Sequence, residues 1–362
     1  RAQMDGDAVR AADVQAMPAR LRVAGEAVAG QGWHHELTAG AAVRIMTGAP
    51  VPAGADAVQK VEVTRELKDS HDDPIVEIKE RVKVGQNIVE RAYEVTAGAI
   101  VLRAGERITA TRMAALAAFG YAQVAVGARP RVGVLATGSE LVKVNEQPQP
   151  DQIRDSNSYT LATYSALAGA KVTRLPLAGD DEASLTAVIK KAAAKFDVLI
   201  LSGGVSMGVY DFTKKALYNL GAEVFFERVQ LRPGKPTVFA RLEKGAHKTL
   251  IFGLPGNPVS VAVTCNLFAR VALLQMQGAT QTALPTMKAR LTQPVKGSAG
   301  RAAYLPATLT TNAKGKLHAT PLKWGGSADF VAFTQTQALM IVPADAKRLE
   351  AKAIVEVVLL PE

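Results

Sequence analysis

Between residues 130 and 276 the sequence alternates short apolar runs with segments of helical length, and this alternation constrains the fold more than any other feature. In chain order the runs are RVGVLATG, SNSYTLATYSALAGA, KVTRLPLAG, DEASLTAVIKKAAAKF, DVLILSGG and FTKKALYNLG. Strands separated by helices can pair in parallel, because each helix supplies the long crossover that a parallel connection needs. We therefore predict a mainly parallel, helix-covered α/β sheet over residues 129–278.

The segments on either side of this region are rich in β-type runs and turns. Residues 1–103 contain AVRIM, DAVQKVEV, PIVEIK and AIVL between Gly and Pro turns, which predicts an N-terminal β-rich domain. Residues 104–128 predict a helix ending at Gly120 and then a strand, and residues 284–362 predict a C-terminal β domain. The chain opens on Arg1 and reads like the middle of a protein, so we expect an upstream segment.

Composition limits the functions that the chain can have. Of 362 residues, 48% are hydrophobic, and no apolar run approaches the roughly 20 residues that cross a bilayer. The single cysteine, Cys265, lies in an apolar segment, which predicts a buried thiol in a cytoplasmic protein without disulfides. A formal net charge of +10 favours anionic partners. Nucleic acid is disfavoured, since only 5% of residues are aromatic and no zinc-ligand spacing occurs.

Two loops of small residues each follow a predicted buried strand. They are VLATGSEL at 134–141 and LILSGGVSMG at 199–208. Glycine permits a close backbone approach, and free backbone N–H groups can point at an anion. Neither loop matches the P-loop or the dinucleotide-binding glycine pattern. Each loop either binds an anion or is only a tight turn between a strand and a helix.

Two further loops strengthen the case for an anion site. In LRPGKPTVF at 231–239, Arg232 and Lys235 flank a Pro-Gly turn, and Arg228 lies just upstream. In IFGLPGNPVSV at 251–261, a strand runs into a turn where Asn257 precedes a helix that begins with proline. Basic side chains on short turns suit a dianionic oxyanion or a phosphate. Four such loops predict a site at the carboxyl ends of the strands.

Three carboxylates, Glu140, Asp180 and Asp211, follow predicted strands in the same region. Carboxylates that face bound phosphates are typical of a bridging divalent cation, and oxygen ligands favour magnesium. The alternative is that Glu140 and Asp180 only offset helix dipoles and that Asp211 is only an N-cap.

Eight motifs, in this order along the chain, resemble the molybdopterin molybdenumtransferase family, known in bacteria as MoeA and in animals as the gephyrin E domain. They are MDG-A at 4–8, AVRIMTGAPVPAGADAV at 42–58, GQNI at 85–88, PRVGVLATGSELV, DSNSY at 155–159, SGGVSMGVYDFTKKAL, RPGKP and FGLPGNPVS. The resemblance implies an elongated homodimer of four-domain subunits. The α/β domain would be of molybdopterin-binding type, the C-terminal domain β-barrel-like, and the upstream segment would complete the domain containing residues 104–128.

The resemblance also implies a function. It indicates a transferase that inserts molybdate into adenylylated molybdopterin, with Mg²⁺ required, and releases AMP and molybdenum cofactor. The homodimer would share its active site between subunits. A molybdopterin adenylyltransferase and recipient molybdoenzymes are further partners that it suggests, whereas membranes and nucleic acid are not expected.

The resemblance assigns roles to individual residues. The implied catalytic residues are Asp5, Thr47, Glu140, Asp180 and Asp211, of which the last three are also the tentative Mg²⁺ ligands. Those implied to bind molybdate or phosphate are Arg228, Arg232, Lys235, Arg301 and Ser327. Those implied to bind molybdopterin are Thr137, Gly138, Ser139, Ser202, Gly203, Gly204, Ser206, Pro255, Gly256 and Asn257.

Three departures from the family pattern leave other functions open. Asp7 stands where an aromatic residue is frequent, AYE at 92–94 where Gly-Glu-Asp is usual, and Pro306 where a second arginine is common. The second hypothesis is therefore a molybdopterin-binding or scaffold protein that keeps the fold without catalysis. A third hypothesis, a polyanion binder, rests only on the net charge.

Overall fold

The structure is a computed structural model that describes residues 1–179, 181–204 and 212–361. Within it the chain forms two compact units, Arg1–Val101 and Leu102–Glu362.

The N-terminal unit contains one six-stranded sheet. Its strands are Gly6–Val9 (β1), Ala19–Ala27 (β2), Ala41–Ile45 (β3), Ala57–Lys60 (β4), Thr64–Lys68 (β5) and Pro74–Ile78 (β6), with 3₁₀ turns at Ala11–Val14 and Val61–Val63. The order across the sheet is β4-β1-β3-β2-β6-β5. Successive residues of β1, Ala8 and Val9, enter two different apolar clusters. Both faces of the sheet are therefore covered, as alternation along a strand requires.

Two predicted strands near residue 100 are absent from the described structure. The run AIVL at 99–102 and residues 121–129 form no strand, and Ile100, Val101, Val124 and Val126 are exposed. An apolar run becomes a strand only where a neighbouring strand pairs its backbone groups, and no strand pairs with these two runs. The predicted helix does form at Ala110–Ala118 (α1). Gly120, with a φ of +79°, lies just beyond its end, as predicted.

The second unit begins with α1 and continues into the predicted α/β sheet. The strands of this region are Arg131–Ala136 (β7), Leu141–Val142 (β8), Ile153–Arg154 (β9), Lys171–Arg174 (β10), Val198–Ser202 (β11), Glu223–Phe226 (β12), Leu231–Arg232 (β13), Val238–Lys244 (β14) and His247–Leu254 (β15). The sheet order is β10-β7-β11-β15-β14-β12. The first four strands are parallel, and β14 is antiparallel to both of its neighbours, β15 and β12, so the sheet is mainly parallel, as predicted.

Helices cover both faces of this sheet. They are Asn157–Leu167 (α2), Glu182–Ala193 (α3), Phe212–Asn219 (α4), Pro258–Thr264 (α5) and Arg270–Met276 (α6), with a π-helical segment at Cys265–Ala269 between the last two. Leu185 of α3 packs in one apolar cluster with Leu199 of β11, and Leu161 of α2 packs in a second cluster with Ile200. Cys265 is buried and free, as predicted, and burial raises the pKa of its thiol to about 12.

One helix contradicts the expectation that no apolar run approaches the length of a membrane span. Pro258–Met276 has 19 residues and is apolar enough, by length and composition, to cross a bilayer. In the structure 56% of this segment is buried, and Val261 and Leu273 pack against the central sheet. Its apolar character is explained by this packing.

The C-terminal part of the second unit is a closed β-barrel. Its elements are Thr286–Leu291 (β16), Val295–Lys296 (β17), Ala302–Thr311 (β18), Leu317–Pro321 (β19), Phe330–Phe333 (α7), Ala338–Val342 (β20), Arg348–Leu349 (β21) and Ile354–Leu359 (β22). Five of these strands close a ring in the order β18-β19-β16-β22-β20, because β18 also pairs with β20. The prediction of a β-barrel-like domain is confirmed. The short strand β13 adds to β18 from outside the ring and so joins the central region to the barrel.

Candidate active site

The parallel strands of the central sheet end at one edge, where the predicted loops begin. Ser202, the last residue of β11, is in register with Ala136 of β7 and with Leu254 of β15. The segments that follow these strands therefore start side by side. The structure thus brings together the described parts of three of the four predicted loops.

The turn at residues 202–204, called here the SGG turn, requires its two glycines. Gly203 has a φ of +96° and Gly204 a φ of +64°, both in the left-handed region. A Cβ atom on Gly203 would lie 2.1 Å from the carbonyl oxygen of Thr137. A Cβ atom on Gly204 would lie 2.6 Å from Thr213 Oγ1. The glycines thus let the SGG turn lie directly against the turn that follows β7.

Asn157 connects the SGG turn to the loop that follows β15. Its Nδ2 donates to Ser202 Oγ at 2.9 Å and to the carbonyl oxygen of Gly256 at 2.5 Å. Ser202 Oγ in turn donates to the carbonyl oxygen of Pro255 at 3.4 Å. No functional role was predicted for Asn157 from the sequence, although it lies within the DSNSY motif. Its position at the start of a helix, after a strand-end loop, was the available signal.

The turn after β7 contains buried and exposed predicted residues. The backbone N–H of Thr137 donates to the carbonyl oxygen of Ser202 at 2.9 Å. Thr137 and Gly138 are buried, whereas Ser139 and Glu140 are exposed. A Cβ atom on Gly138 would lie 2.5 Å from a carboxylate oxygen of Glu140. The Glu140 carboxylate therefore folds back over the turn and remains accessible at the edge of the sheet.

Asn257 links the last of these loops to the C-terminal region. Its Nδ2 donates to Ser327 Oγ at 2.9 Å, and the backbone N–H of Val259 donates to the carbonyl oxygen of Ser327 at 3.0 Å. Pro258 occupies the first turn of α5, where a backbone N–H needs no helical partner. Ser327, implied to bind molybdate, thus lies beside Asn257, implied to bind molybdopterin.

The basic turn at residues 232–236, called here the RPGKP turn, lies at the same end of the central sheet. It leads into β14, where Val238 is in register with Gly253 near the end of β15. A Cβ atom on Gly234 would lie 2.4 Å from Thr264 Cγ2 of α5. The RPGKP turn therefore packs on the helix that the Asn257 loop begins.

The predicted oxyanion-binding cations are Arg228, Arg232, Lys235 and Arg301. Within the described residues no ion pair or side-chain hydrogen bond involves Arg228, Arg232, Lys235 or Arg301. Arg232 in β13 is in register with Ala303 of β18, two residues after Arg301. This pairing places Arg301 close to Arg232. Cations without a carboxylate partner are available to compensate a bound anion.

The N-terminal unit holds two other predicted residues together. Asp5 Oδ1 accepts from Thr47 Oγ1 at 2.7 Å and from the backbone N–H of Thr47 at 2.6 Å. These hydrogen bonds, the side-chain one first, lower the pKa of Asp5. The exposed Asp5 carboxylate is therefore ionised and fixed in position by Thr47.

Asp7, two residues along, has the opposite environment. It is only 3% exposed, and its Oδ1 has no hydrogen-bond partner. Burial raises the pKa of Asp7 to about 6, although the Arg44 guanidinium opposes the shift and Glu66 adds to it. The departure from the family motif thus places an incompletely satisfied carboxyl inside the sheet.

The other two departures are also visible. Ala92 has a φ of +68°, a conformation that favours the glycine usual in the family at this position. Pro306 is buried in β18, in register with Leu339 of β20, so the barrel wall offers no basic group there.

The remaining predictions lie outside the described residues. These are Asp180, Ser206 and Asp211. Within residues 1–179, 181–204 and 212–361, no three His, Cys, Asp or Glu side chains are close enough to hold a metal ion. Glu140 is the one predicted Mg²⁺ ligand that is described. Mg²⁺ commonly keeps several waters and binds through one or two carboxylates, and the exposed Glu140 carboxylate fits such a role.

Three family models match the chain in succession. The MoeA N-terminal region (domain I and II) matches residues 1–120, a probable molybdopterin binding domain matches residues 133–275, and the MoeA C-terminal region (domain IV) matches residues 288–360.

Relatives and solved structures match over almost the full chain. The molybdopterin molybdenumtransferase of Bacillus subtilis is 35% identical over 100% of this chain and 84% of its own length. The enzyme of the same name from Haemophilus influenzae is 34% identical over 96% of this chain and 84% of its own. A crystal structure of a molybdopterin biosynthesis MoeA protein from Pyrococcus horikoshii OT3 is similar with a TM-score of 0.80, at 27% identity over 99% of this chain and 87% of that one.

Proposed function

The chain belongs to the molybdopterin molybdenumtransferase family, and we propose that it inserts molybdate into adenylylated molybdopterin, releasing AMP and molybdenum cofactor. It is a transferase of molybdenum cofactor biosynthesis, and a scaffold without catalysis is not favoured. The observation that carries the residue-level proposal is the position of two kinds of turn at one sheet edge. The neutral SGG turn and the RPGKP turn, whose cations have no ion-pair partner within the described residues, both lie at this edge of the central sheet.

The RPGKP turn supports the proposed binding of molybdate. Molybdate is a tetrahedral dianion, and the side chains of Arg232, Lys235 and Arg301 can compensate its charge without first breaking an internal ion pair. The guanidinium groups supply several donors in a fixed geometry, and the lysine supplies a point charge. Because the RPGKP turn packs on α5, the backbone that carries Arg232 and Lys235 is held against a helix.

The neutral turns support the proposed binding of the pterin substrate. Glycines in the left-handed region at 203 and 204 allow a substrate phosphate to come close to backbone N–H groups. The buried Thr137 and Ser202 leave little room for water beneath it. The molybdenum ligands of the product are the dithiolene sulfurs of the pterin, so the protein mainly positions the reactants and excludes water.

The Mg²⁺ ion, the homodimer and the cytoplasmic location are further parts of the proposal. When bound, Mg²⁺ would polarise the phosphoanhydride, and Glu140 would hold it together with Asp180 and Asp211. Asp5 and Thr47 would complete the site of the partner subunit. The hydrogen bonds between them already fix the position of the Asp5 carboxylate. A molybdopterin adenylyltransferase would supply the substrate, and recipient molybdoenzymes would accept the product.

The test is release of AMP from adenylylated molybdopterin on addition of molybdate and Mg²⁺. We expect release by the unmodified chain that requires both additions and that collapses in Asp211→Asn. A chain that binds adenylylated molybdopterin but never releases AMP would contradict the transferase proposal.

A further inference from the structure

The start of helix α2 is held in place from within the DSNSY motif. The buried Asp155 accepts from the backbone N–H of Ser158 at 3.0 Å and also from Ser158 Oγ. Arg174 donates to Ser158 Oγ at 3.4 Å, and its guanidinium lies 3.6 Å from the ring centroid of Tyr159. These contacts involve three of the five motif residues, Asp155, Ser158 and Tyr159, and leave the side chain of Asn157 directed at the sheet edge.

The orientation of the Asn157 amide is determined by its partners. The carbonyl oxygen of Gly256 can only accept a hydrogen bond, so the atom 2.5 Å from it must be the amide nitrogen. The same nitrogen donates to Ser202 Oγ, and the Ser202 hydroxyl donates a hydrogen bond to the carbonyl oxygen of Pro255. Asn157 therefore holds the SGG turn and the loop at residues 255–257 together.

The other atom of the amide is unused. Asn157 Oδ1 is buried and has no hydrogen-bond partner. A buried acceptor without a partner costs free energy that a ligand donor can recover. Because Oδ1 carries partial negative charge, it would repel phosphate or molybdate oxygens and would favour a neutral N–H or O–H group.

We propose that Asn157 is a positioning residue that sets the spacing of these two loops and accepts a hydrogen bond from an N–H group of the pterin. This inference rests on the proposed function, in which the SGG turn and the loop at residues 255–257 bind the pterin. The pterin carries amino and ring N–H donors, and the adenine of the adenylyl group carries an amino group as well, so the test must separate the two. The phosphate and molybdate portions carry only acceptors when ionised. Asn157 thereby discriminates the pterin end of the substrate from its anionic end.

The experiment measures equilibrium binding of adenylylated molybdopterin, and separately of AMP and of molybdate, to the full chain. The variants are Asn157→Ala, Asn157→Asp and a matched control, Thr163→Ala. Thr163 lies on the same helix, is exposed, and donates only to the carbonyl oxygen of Tyr159 at 3.0 Å. We expect Asn157→Ala to weaken pterin binding about tenfold, the worth of a lost hydrogen bond, while molybdate affinity stays unchanged. Asn157→Asp puts an oxygen in place of the nitrogen that donates to the carbonyl oxygen of Gly256, so it should weaken pterin binding as well.

Hydrogen exchange of the amides at residues 203–204 and 256–257 gives a second readout that needs no ligand. Exchange should be faster in both Asn157 variants than in Thr163→Ala, because the link between the loops is lost. Unchanged pterin affinity in Asn157→Ala, while the unmodified chain still releases AMP, would overturn this inference alone. Weakened pterin affinity in that variant, with no AMP release by the unmodified chain, would overturn the proposed reaction alone. If Asn157→Ala weakens the binding of AMP or of molybdate as much as that of adenylylated molybdopterin, the discrimination is overturned.

Discussion

The SGG turn and the RPGKP turn lie at one end of the central sheet but satisfy their polar groups in opposite ways. In the SGG turn, Ser202 is buried and shares hydrogen bonds with Asn157 and Pro255. In the RPGKP turn, Arg232 and Lys235 have no ion-pair partner within the described residues. The first turn is built by internal contacts and is neutral. The second turn is held by packing, and its positive charges are not compensated within the described residues.

This difference suits the separate roles proposed for the two turns, here called the division of labour: the SGG turn positions the pterin substrate and the RPGKP turn binds molybdate. A neutral, tightly linked turn gives a fixed shape, which suits a large substrate that must be positioned. Unpaired cations give charge compensation, which suits a small dianion. Changes of shape should therefore disturb the first turn, and changes of charge the second.

The largest expected effect is steric and concerns the SGG turn. Gly203→Ala places a Cβ atom 2.1 Å from the carbonyl oxygen of Thr137 at a φ of +96°, and should lower the free energy of unfolding by about 4 kcal/mol. Gly256→Ala is the matched control, because the nearest atom to its Cβ is 3.8 Å away. Its effect should stay within about 1 kcal/mol in the same urea denaturation experiment. Equal effects would show that the SGG turn is not sterically constrained.

A second prediction extends the contrast to the unsatisfied carboxyl of Asp7 in the N-terminal unit. Its pKa in the folded state is about 6 against an ordinary 3.8, so the folded state binds more protons between these values. Stability from this group is therefore greatest at low pH and falls by about 3 kcal/mol as the pH rises from about 4 to about 6.

The variant Asp7→Asn should remove this fall and raise the free energy of unfolding at pH 7.5 by up to about 3 kcal/mol. Chemical denaturation followed by the fluorescence of Trp33, in a Trp324→Phe background, measures it in the N-terminal unit. The exposed Asp73→Asn is the control. A pH profile that is the same with and without Asp7 would refute the prediction.

A third prediction concerns charge in the RPGKP turn. Arg232→Gln should weaken molybdate binding by about 10- to 100-fold, the range expected for a charge-assisted hydrogen bond. Arg232→Lys should lose less, because it keeps the charge but not the fork of donors. The exposed Lys316→Gln on the barrel is the control for net charge. Binding that is equally weak in Lys316→Gln would mean that only the overall charge of the chain matters.

The smallest expected effect tests backbone strain alone. Ala92 has a φ of +68° and is exposed, so Ala92→Gly removes strain without changing a buried contact. The free energy of unfolding should rise by about 0.5–1 kcal/mol. Thermal unfolding measures this change, and a decrease would show that the entropy lost by glycine outweighs the strain at this turn.

Much of the fold could be predicted from sequence, because alternation and turn residues act locally. The central sheet, the helix ending before Gly120 and the β-rich C-terminal domain follow from such patterns, whereas the barrel-like form of that domain was implied by the resemblance to the family. The absent strands at 99–102 and 121–129 could not be predicted, because pairing depends on a partner elsewhere in the chain. The apolar runs themselves gave no sign of this.

Site residues could be predicted from sequence where the residue type itself indicates the chemistry. They were missed where their role depends on contacts in the folded structure. Glycines and basic residues in turns identified the SGG and RPGKP turns from sequence. Asn157 was missed because its role comes from contacts with Ser202 and Gly256, which lie 45 and 99 residues away along the chain. Asp7 was recognised as a departure from the family, but only burial reveals its effect on stability.

The most direct test of the division of labour is steady-state AMP release with each substrate varied in turn. The KM for molybdate and the KM for adenylylated molybdopterin are measured in Arg232→Gln and in Asn157→Ala. We predict that Arg232→Gln raises only the KM for molybdate and that Asn157→Ala raises only the KM for adenylylated molybdopterin. If both variants raise both KM values to the same extent, the two turns do not divide the substrates between them.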